Sequence, residues 1–579
     1  MPSLPANFPA WAKELNDAYV SGTSCLFLLH GNVFDLIHSP QHKEGKYLPV
    51  ADFLARQVFG RWDLVMNYDL SRGLRPLAGP DSQRLREMVH EISKQFGDVK
   101  ELPKDPGNVL HLLDQFLEKQ LVSSSNLRPL SSALIIQFSQ FVAPSTRGST
   151  ASQNAANLVT LLNWAQDNYL KRINVAVILI TEKLSDLDPR LIRNPHIESI
   201  EIPFPDECGR EQFIEAIHSK CDLETHSDYS AEQLARLSAG LTLHNLEVLL
   251  RQAERAKRRI DEARFKSFKK DMIERECQGF LEFQEPRHKL DMVVGHIEAK
   301  ARLKEDADLL RKGHLNAVPM GYLICGPVGT GKSFLTECYA GTVGLPVVKL
   351  LNFRSKYVGE TEGNLEKILR VLRAMGPVAV VIDEADAAVG DRDQGGDSGT
   401  ASRVFSMLAA QMGDTKYRGR IIWFLLTCRP DLLPADIKRQ GRAEVHIPLF
   451  YPANDSEIRQ MFEVQARKLG AKLEEDAIPD VTTESKLSGA DIEGIVTRAW
   501  RMALLQNESE FTKEILQSAL DSFIASGDDL EKEMQEKIAI LECTDSQFLP
   551  VRLREEASDP AFRTNLKNEI QDLRMRLEA

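Results

Sequence analysis

The chain has 579 residues, with 84 acidic against 72 basic side chains and a formal net charge of −12. That length predicts about four folding units, and hydrophobic and charged fractions of 43 % and 27 % exclude a disordered or collagen-like chain. Apolar runs such as Ala133–Ile136 and Val378–Ile382 fall far short of the roughly 20 residues of a membrane span, and the acidic balance opposes a general nucleic-acid binder, which needs a basic surface. The amino terminus lacks a basic segment followed by an apolar core, so no secretory signal and a cytoplasmic location are expected. Eight cysteines are scattered without a CxxC pair, which argues against structural zinc and a disulfide framework.

In chain order, strand patterns fall at Ser24–Leu36, Trp62–Leu70, Ser132–Val142 and Asn174–Glu182. Alternating with helical patterns, they predict α/β layers around a mostly parallel sheet. A helix-rich stretch, Asp206–Arg259, follows as a small lid. The charged run Arg251–Phe283 is expected to continue it as a helix, ending in a linker near Gln284–His288. Its cations, Lys257–Arg259 and Lys266–Lys270, read either as a solvated helix face or as contacts to a phosphate backbone. A second set of strands, Gly321–Pro327, Pro346–Phe353, Pro377–Asp386 and Arg420–Cys428, repeats the plan, with a second helical lid at Asn454–Ala525. The tail Leu549–Ala579 has apolar residues at Leu566, Ile570, Leu573 and Leu577, a spacing that suits a helix seam. The resulting boundaries are an α/β module at 1–205, a lid and linker helix at 206–285, a second α/β core at 286–451, its lid at 452–530 and a helical tail at 531–579.

Chemistry concentrates in the second set. Gly326, Pro327, Val328, Gly329, Thr330, Gly331, Lys332 and Ser333 follow a strand and precede a helical segment, the setting of a phosphate-binding loop. The glycines let backbone N–H groups turn toward phosphates, and the helix presents its positive end to them. Lys332 is suited to the β and γ phosphates, and Ser333 to Mg²⁺. The third strand ends in Asp383 and Glu384. Asp383 is suited to holding Mg²⁺ through water, and Glu384 to orienting the water that attacks the γ phosphate. Nucleotide hydrolysis with Mg²⁺ is therefore the expected activity.

These residues, with several further segments, resemble the classical AAA ATPases. Leu290–Leu303 looks like the entry segment, which implies Val294 and Gly295 near the adenine. Phe353–Leu369 is similar to the first pore loop, with Lys356, Tyr357 and Val358 at its tip; a half-buried loop aromatic is the plainer reading of Tyr357. Ser402–Gly413 looks like the helix after the second pore loop. Pro434–Leu449 resembles the arginine-finger region, with Arg439 and Arg442 at the two finger positions. Ser488–Val496 resembles the lid motif, which implies Gly489 and Ala490 beside the nucleotide, as Phe334 is after the phosphate loop. The resemblance spans roughly Leu290 to Phe523. It implies a P-loop NTPase (AAA+) fold in tandem, each parallel sheet sandwiched by helices and carrying a small all-α lid. It also implies a homohexameric ring that threads a protein substrate, delivered directly or by an adaptor, without membrane or nucleic acid. Three departures stand out: Cys428 where the family has an asparagine that positions water, Val328 for a proline, and Ser333 for a threonine. A thiol is a weak hydrogen-bonding group, so slow hydrolysis is expected, with Thr427 or a bound water as the substitute.

The first set repeats the plan without its chemistry. His30 to Asp35 reads HGNVFD, with neither the lysine nor the run of glycines, and the third strand leads into Gln137 and Phe138 rather than two carboxylates. Arg193 and His196 stand at the finger positions, and Ser238–Leu250 resembles the lid motif. A degenerate copy that binds no ATP tightly is expected, an unrelated α/β domain being the alternative. Neither HExxH nor GxSxG occurs, so any proteolysis would need a separate partner. Two other functions stay open: an ATP-gated assembly factor that does not thread substrate, and a nucleic-acid remodeller acting through Lys257–Lys270.

Overall fold

A computed structural model of the chain describes residues 4–5, 7–40, 46–79, 81–98, 101–122, 130–145, 151–218, 223–351, 360–389, 398–481, 483, 487–506, 508, 510–524 and 529–578. Packing divides them into two units, one ending at Cys277 and also holding the helix Glu360–Met375, the other beginning at Gln278 and holding the rest.

The first unit is built on β1 (Leu26–Gly31), β2 (Leu64–Asp69), β3 (Gly73–Pro76), β4 (Ser132–Ile136), β5 (Val175–Ile180) and β6 (Ile197–Ile202), in the order β3-β2-β4-β5-β1-β6. All neighbours are parallel except β3, which is antiparallel to β2. Every residue of β5 is buried, because helices cover both faces of a parallel sheet and leave no solvated side for polar residues. β6 alternates instead, burying Ile197, Ile200 and Ile202, as an edge strand does. That alternation and the shortness of β3 hid both from the strand patterns.

The helical lid of this unit differs from expectation. Its helix α1 (Leu243–Ala256) stops at Lys257, which has a left-handed φ of 49°. A new helix, Glu262–Glu276, starts behind Asp261, whose side chain accepts from Arg264 N. Between them Ile260 is fully buried and its N–H bonds to His226 O. An apolar anchor and a capping aspartate thus override a continuous charged helix. The cations nearby are engaged: Arg259 with Asp228, Lys266 with Glu262, Lys270 with Glu274, and Lys269 Nζ with Leu237 O. Lys257 and Arg258 are exposed.

The second unit is built on β7 (Leu281–Gln284), β8 (Gly321–Cys325), β9 (Val347–Leu350), β10 (Val378–Ile382), β11 (Ile421–Thr427) and β12 (Val445–Pro448), in the order β12-β8-β11-β10-β9-β7. The segment expected to end the linker helix is therefore a strand, antiparallel to β9 at the sheet edge. Counting parallel strands only, each sheet reads fifth, first, fourth, third, second. That identity is what a repeat predicts when its chemistry, rather than its fold, has changed.

The core of this unit holds Tyr322 stacked on Phe424, ring centroids 4.9 Å apart, and burial of each such ring contributes roughly 1.5–3 kcal/mol. Helix α2 (Lys332–Val343) follows β8, and a separate lid core gathers Ile458, Phe462 and α3 (Gly489–Leu505). Near the carboxyl end, α4 (Asp529–Glu542) and α5 (Pro560–Glu578) pack on each other and on Phe450, burying Leu566, Ile570 and Leu573. The helix seam read from the tail is thus satisfied within the chain itself.

Candidate nucleotide site

Strand register assembles the site. β8 and β11 pair with Cys325 opposite Thr427, so Gly326 and Cys428 leave the sheet side by side, and β10 on the far side of β11 delivers Asp383 and Glu384 to the same edge. In parallel α/β sheets the carboxyl edge is where ligands bind.

The loop from Gly326 to Ser333 needs its glycines for stated reasons. A Cβ on Gly326 would lie 2.2 Å from Leu449 O, and one on Gly329 2.5 Å from Ser488 Oγ, both at positive φ. α2 opens at Lys332 behind Gly331 with no side-chain cap, so its first N–H groups keep their affinity for anions. Lys332 Nζ folds over the loop onto Gly326 O and Pro327 O, each at 2.8 Å, and onto Cys428 Sγ at 3.1 Å. Thr330 Oγ1 bonds to Pro327 O. Ser333 is exposed at the helix start, while Phe334 carries Lys468 Nζ 3.7 Å above its ring, an attraction of cation to ring face. The arrangement fits a triphosphate: one cation, a free helix start and a backbone that only glycine permits.

Asp383 pairs with Lys349 at 2.8 Å and accepts from Glu384 N at 3.1 Å. Glu384 itself is exposed, with a φ of 48°. That left-handed conformation costs a non-glycine residue on the order of 1 kcal/mol and tends to persist where function requires it. Ser333 and Asp383 each carry an oxygen donor of the kind Mg²⁺ prefers, that of Asp383 being paired with Lys349. Thr427 is 2 % exposed and donates to Asp386 Oδ1 at 2.6 Å, so its hydroxyl is committed. Cys428 is the residue that faces Lys332.

The lid reaches the loop directly. Ala490 N donates to Gly329 O at 3.2 Å, and a Cβ on Gly489 would lie 3.3 Å from the same oxygen. Ser488 and Asp491 cap α3 reciprocally and fix that approach. Gly295, at a φ of 68°, lies against Glu457 of the lid helix Asp455–Lys468, with Val294 half-buried beside it. The two arginines separate. Arg439 has a 63 % exposed side chain and an ion pair with Asp436 at 3.1 Å. Arg442 is 9 % exposed, pairs with Asp436 and donates to Asp436 O, so its guanidinium is held within its own chain. Lys356, Tyr357 and Val358 lie outside the described residues. Lys349 on Asp383, Tyr451 OH on Val328 O and Gln535 on Val328 N escaped the sequence reading, since no motif announces a partner 34 to 207 residues away.

At the matching edge of the first unit the corresponding loop is closed by its own carboxylate. Asp35 is 3 % exposed and accepts from Leu243 N at 3.0 Å, His244 N at 2.9 Å and Asn32 Nδ2 at 2.9 Å. Burial pushes its carboxyl up, against the pull of those N–H donors. An acidic group that binds the start of α1 opposes a phosphate in the same loop. Burial, and then the charge of Arg370, holds His30 down to about 4, a neutral structural histidine. Asp35→Ala is expected to destabilise the first unit by about 2 kcal/mol through loss of this cap, seen as an earlier urea transition, with ATP affinity at the second unit unchanged.

A parallel sheet with a glycine-rich loop after its first strand, carboxylates after its third and a helical lid bonded to that loop defines a P-loop nucleotide-binding module. Residues 322–451 match the family model described as the ATPase family associated with various cellular activities (AAA). Residues 2–203 match the AAA+ chaperone N-terminal Rossmann-like domain, and residues 209–278 the AAA+ chaperone second helical domain. The chain belongs to the AAA+ ATPases. It is 28 % identical to a cell division cycle protein 48 homolog of Archaeoglobus fulgidus over 62 % of its length, covering 52 % of that protein. It is 25 % identical to the peroxisomal ATPase PEX6 of Dictyostelium discoideum, over 73 % of this chain and 39 % of that one. To the ATP-dependent zinc metalloprotease FtsH 3 of Synechocystis it is 28 % identical, over 42 % and 41 %. The chain thus spans about half the length of these curated relatives or less. Among the described residues no group of three or more His, Cys, Asp or Glu is placed to hold a metal, and no helix is long and apolar enough to cross a membrane.

Proposed function

We propose that the chain hydrolyses ATP at the second sheet and uses the cycle to remodel a protein substrate, as a ring that draws polypeptide past Tyr357. The observation that carries the ATPase reading is the convergence of Lys332, Asp383, Glu384 and Cys428 at one sheet edge under a lid bonded to Gly329. In this reading Lys332 leaves the loop carbonyls for the β and γ phosphates. Ser333, and Asp383 through water, would hold Mg²⁺, which would supply neutralisation of phosphate charge. Glu384 orients the attacking water and takes its proton. Arg439, exposed at the chain surface, serves the γ phosphate of a neighbouring subunit, and Arg442 braces Asp436 beneath it. The first unit, its loop filled by Asp35, serves as a tier of the ring or a platform for substrate or adaptor.

A second reading, an ATP-gated assembly factor that does not thread, is favoured by Cys428, since a thiol at the water-positioning place suits a slow switch. Capture of polypeptide by a Glu384→Gln chain held in ATP separates the two. Threading predicts that adding Tyr357→Ala to Glu384→Gln removes the captured polypeptide while ATP affinity stays within about twofold, because the aromatic ring stacks on substrate and not on nucleotide. Equal capture with and without the Tyr357 side chain would sink the threading reading.

A further inference from the structure

Where the AAA resemblance leads to a proline in the phosphate loop, this chain has Val328, and valine carries an N–H that proline lacks. That N–H donates to Gln535 Oε1 at 3.1 Å. Gln535 lies in α4 and is 2 % exposed, and its Nε2 donates to Glu531 Oε1, one turn earlier, at 3.1 Å. The two partners fix which end of the amide is which. From the other side Tyr451 OH donates to Val328 O at 3.2 Å. The loop's third residue is thus held at both backbone groups by side chains from outside the loop.

Seven residues further along α4, on the same helix face, Glu542 takes Lys438 at 2.8 Å and His446 at 3.2 Å. Arg574 of α5 reaches Asp431 at 2.6 Å. Beside these groups lies a cavity of about 380 Å³ lined by Lys438, Ile538, Glu542, Ile570 and Arg574. Arg574 is exposed, so the cavity opens to solvent, and the helix pair sits on the core through polar anchors as well as apolar contact.

We propose that Gln535 is a positioning residue for ATP binding: it holds the phosphate loop through Val328 N–H, so the loop's grip on nucleotide depends on the docking of α4 and α5. This rests on the ATP site proposed above but not on threading. The pair is specific to this chain's chemistry, because a proline at 328 would give Gln535 nothing to hold.

The test is a double-substitution cycle on the full chain, read as the equilibrium Kd for a fluorescent ATP analogue, with thermal unfolding as the fold control. Gln535→Leu strands the Val328 N–H, and Val328→Pro removes it while stranding Gln535 Oε1. Each is expected to raise Kd about three- to tenfold. The double variant, with neither polar partner left, is expected to return to within about twofold of wild type. Fold-changes that multiply in the double variant, or an unchanged Kd in Gln535→Leu, would overturn the proposal. Should Gln535→Leu alone fail to fold, Val328→Pro compared with the double variant decides: rescue supports the proposal and its absence overturns it. A wild-type chain that does not bind the analogue overturns the ATP site and this inference together, whereas binding without coupling overturns the inference alone.

Discussion

Glu384→Gln is expected to bind ATP within about threefold of the parent chain and to hydrolyse it about 100- to 1,000-fold more slowly, the range a positioned base contributes. The substitution keeps the side chain's length and its acceptor oxygen and removes only its capacity to take a proton. Glu384 has no structural task that would confuse the result. It is exposed, its N–H is satisfied by Asp383 Oδ1, and its carbonyl accepts from Ala387 N in the following helix turn through main-chain atoms alone. Single-turnover hydrolysis beside equilibrium binding separates the two effects. Turnover within about tenfold of wild type would remove Glu384 from the role of base.

Arg439→Ala is expected to lower kcat about 1,000-fold, the lower end for an arginine finger, with the folding midpoint nearly unchanged. The reason is its exposure: an ion pair at the surface contributes about 0–1 kcal/mol. Arg442→Ala should do the reverse in kind. Its buried guanidinium holds Asp436 and a main-chain carbonyl, so its loss should cost about 2 kcal/mol of stability, discounted because Asp436 stays partly exposed. Mixing tests whether Arg439 acts across subunits. Arg439→Ala chains lack the finger and Lys332→Ala chains lack the phosphate lysine, so a mixed ring should recover turnover that neither shows alone. No recovery would place Arg439 at its own chain's site or at none.

The parts of this molecule legible in its sequence are those fixed by neighbours in sequence. A phosphate loop needs consecutive glycines, a lysine and a hydroxyl, and central parallel strands such as Val175–Ile180 and Ile421–Thr427 are apolar throughout because both their faces are covered. Short edge strands had no such signal. Leu281–Gln284 carries two apolar residues and becomes a strand only because β9 offers it an unpaired edge. The break at Lys257 was hidden because a charged run reads the same whether helical or turning, until Ile260 finds a buried place. Equal matches to a motif also hid unequal environments, as Arg439 and Arg442 show. The silent first loop was recognised by what it lacks, whereas the structure shows what replaced it: a carboxylate bonded to the start of α1.

Two sheets of the same strand order lie in one chain; the second carries the glycine-rich loop with Lys332, and the first fills the matching loop with Asp35. Equilibrium binding of the ATP analogue to purified Glu384→Gln chains, counted per chain, tests this most directly. The expected stoichiometry is one nucleotide per chain, falling to none when Lys332 is also replaced by alanine. Two nucleotides per chain, or one retained without Lys332, would contradict the assignment of all nucleotide chemistry to the second unit.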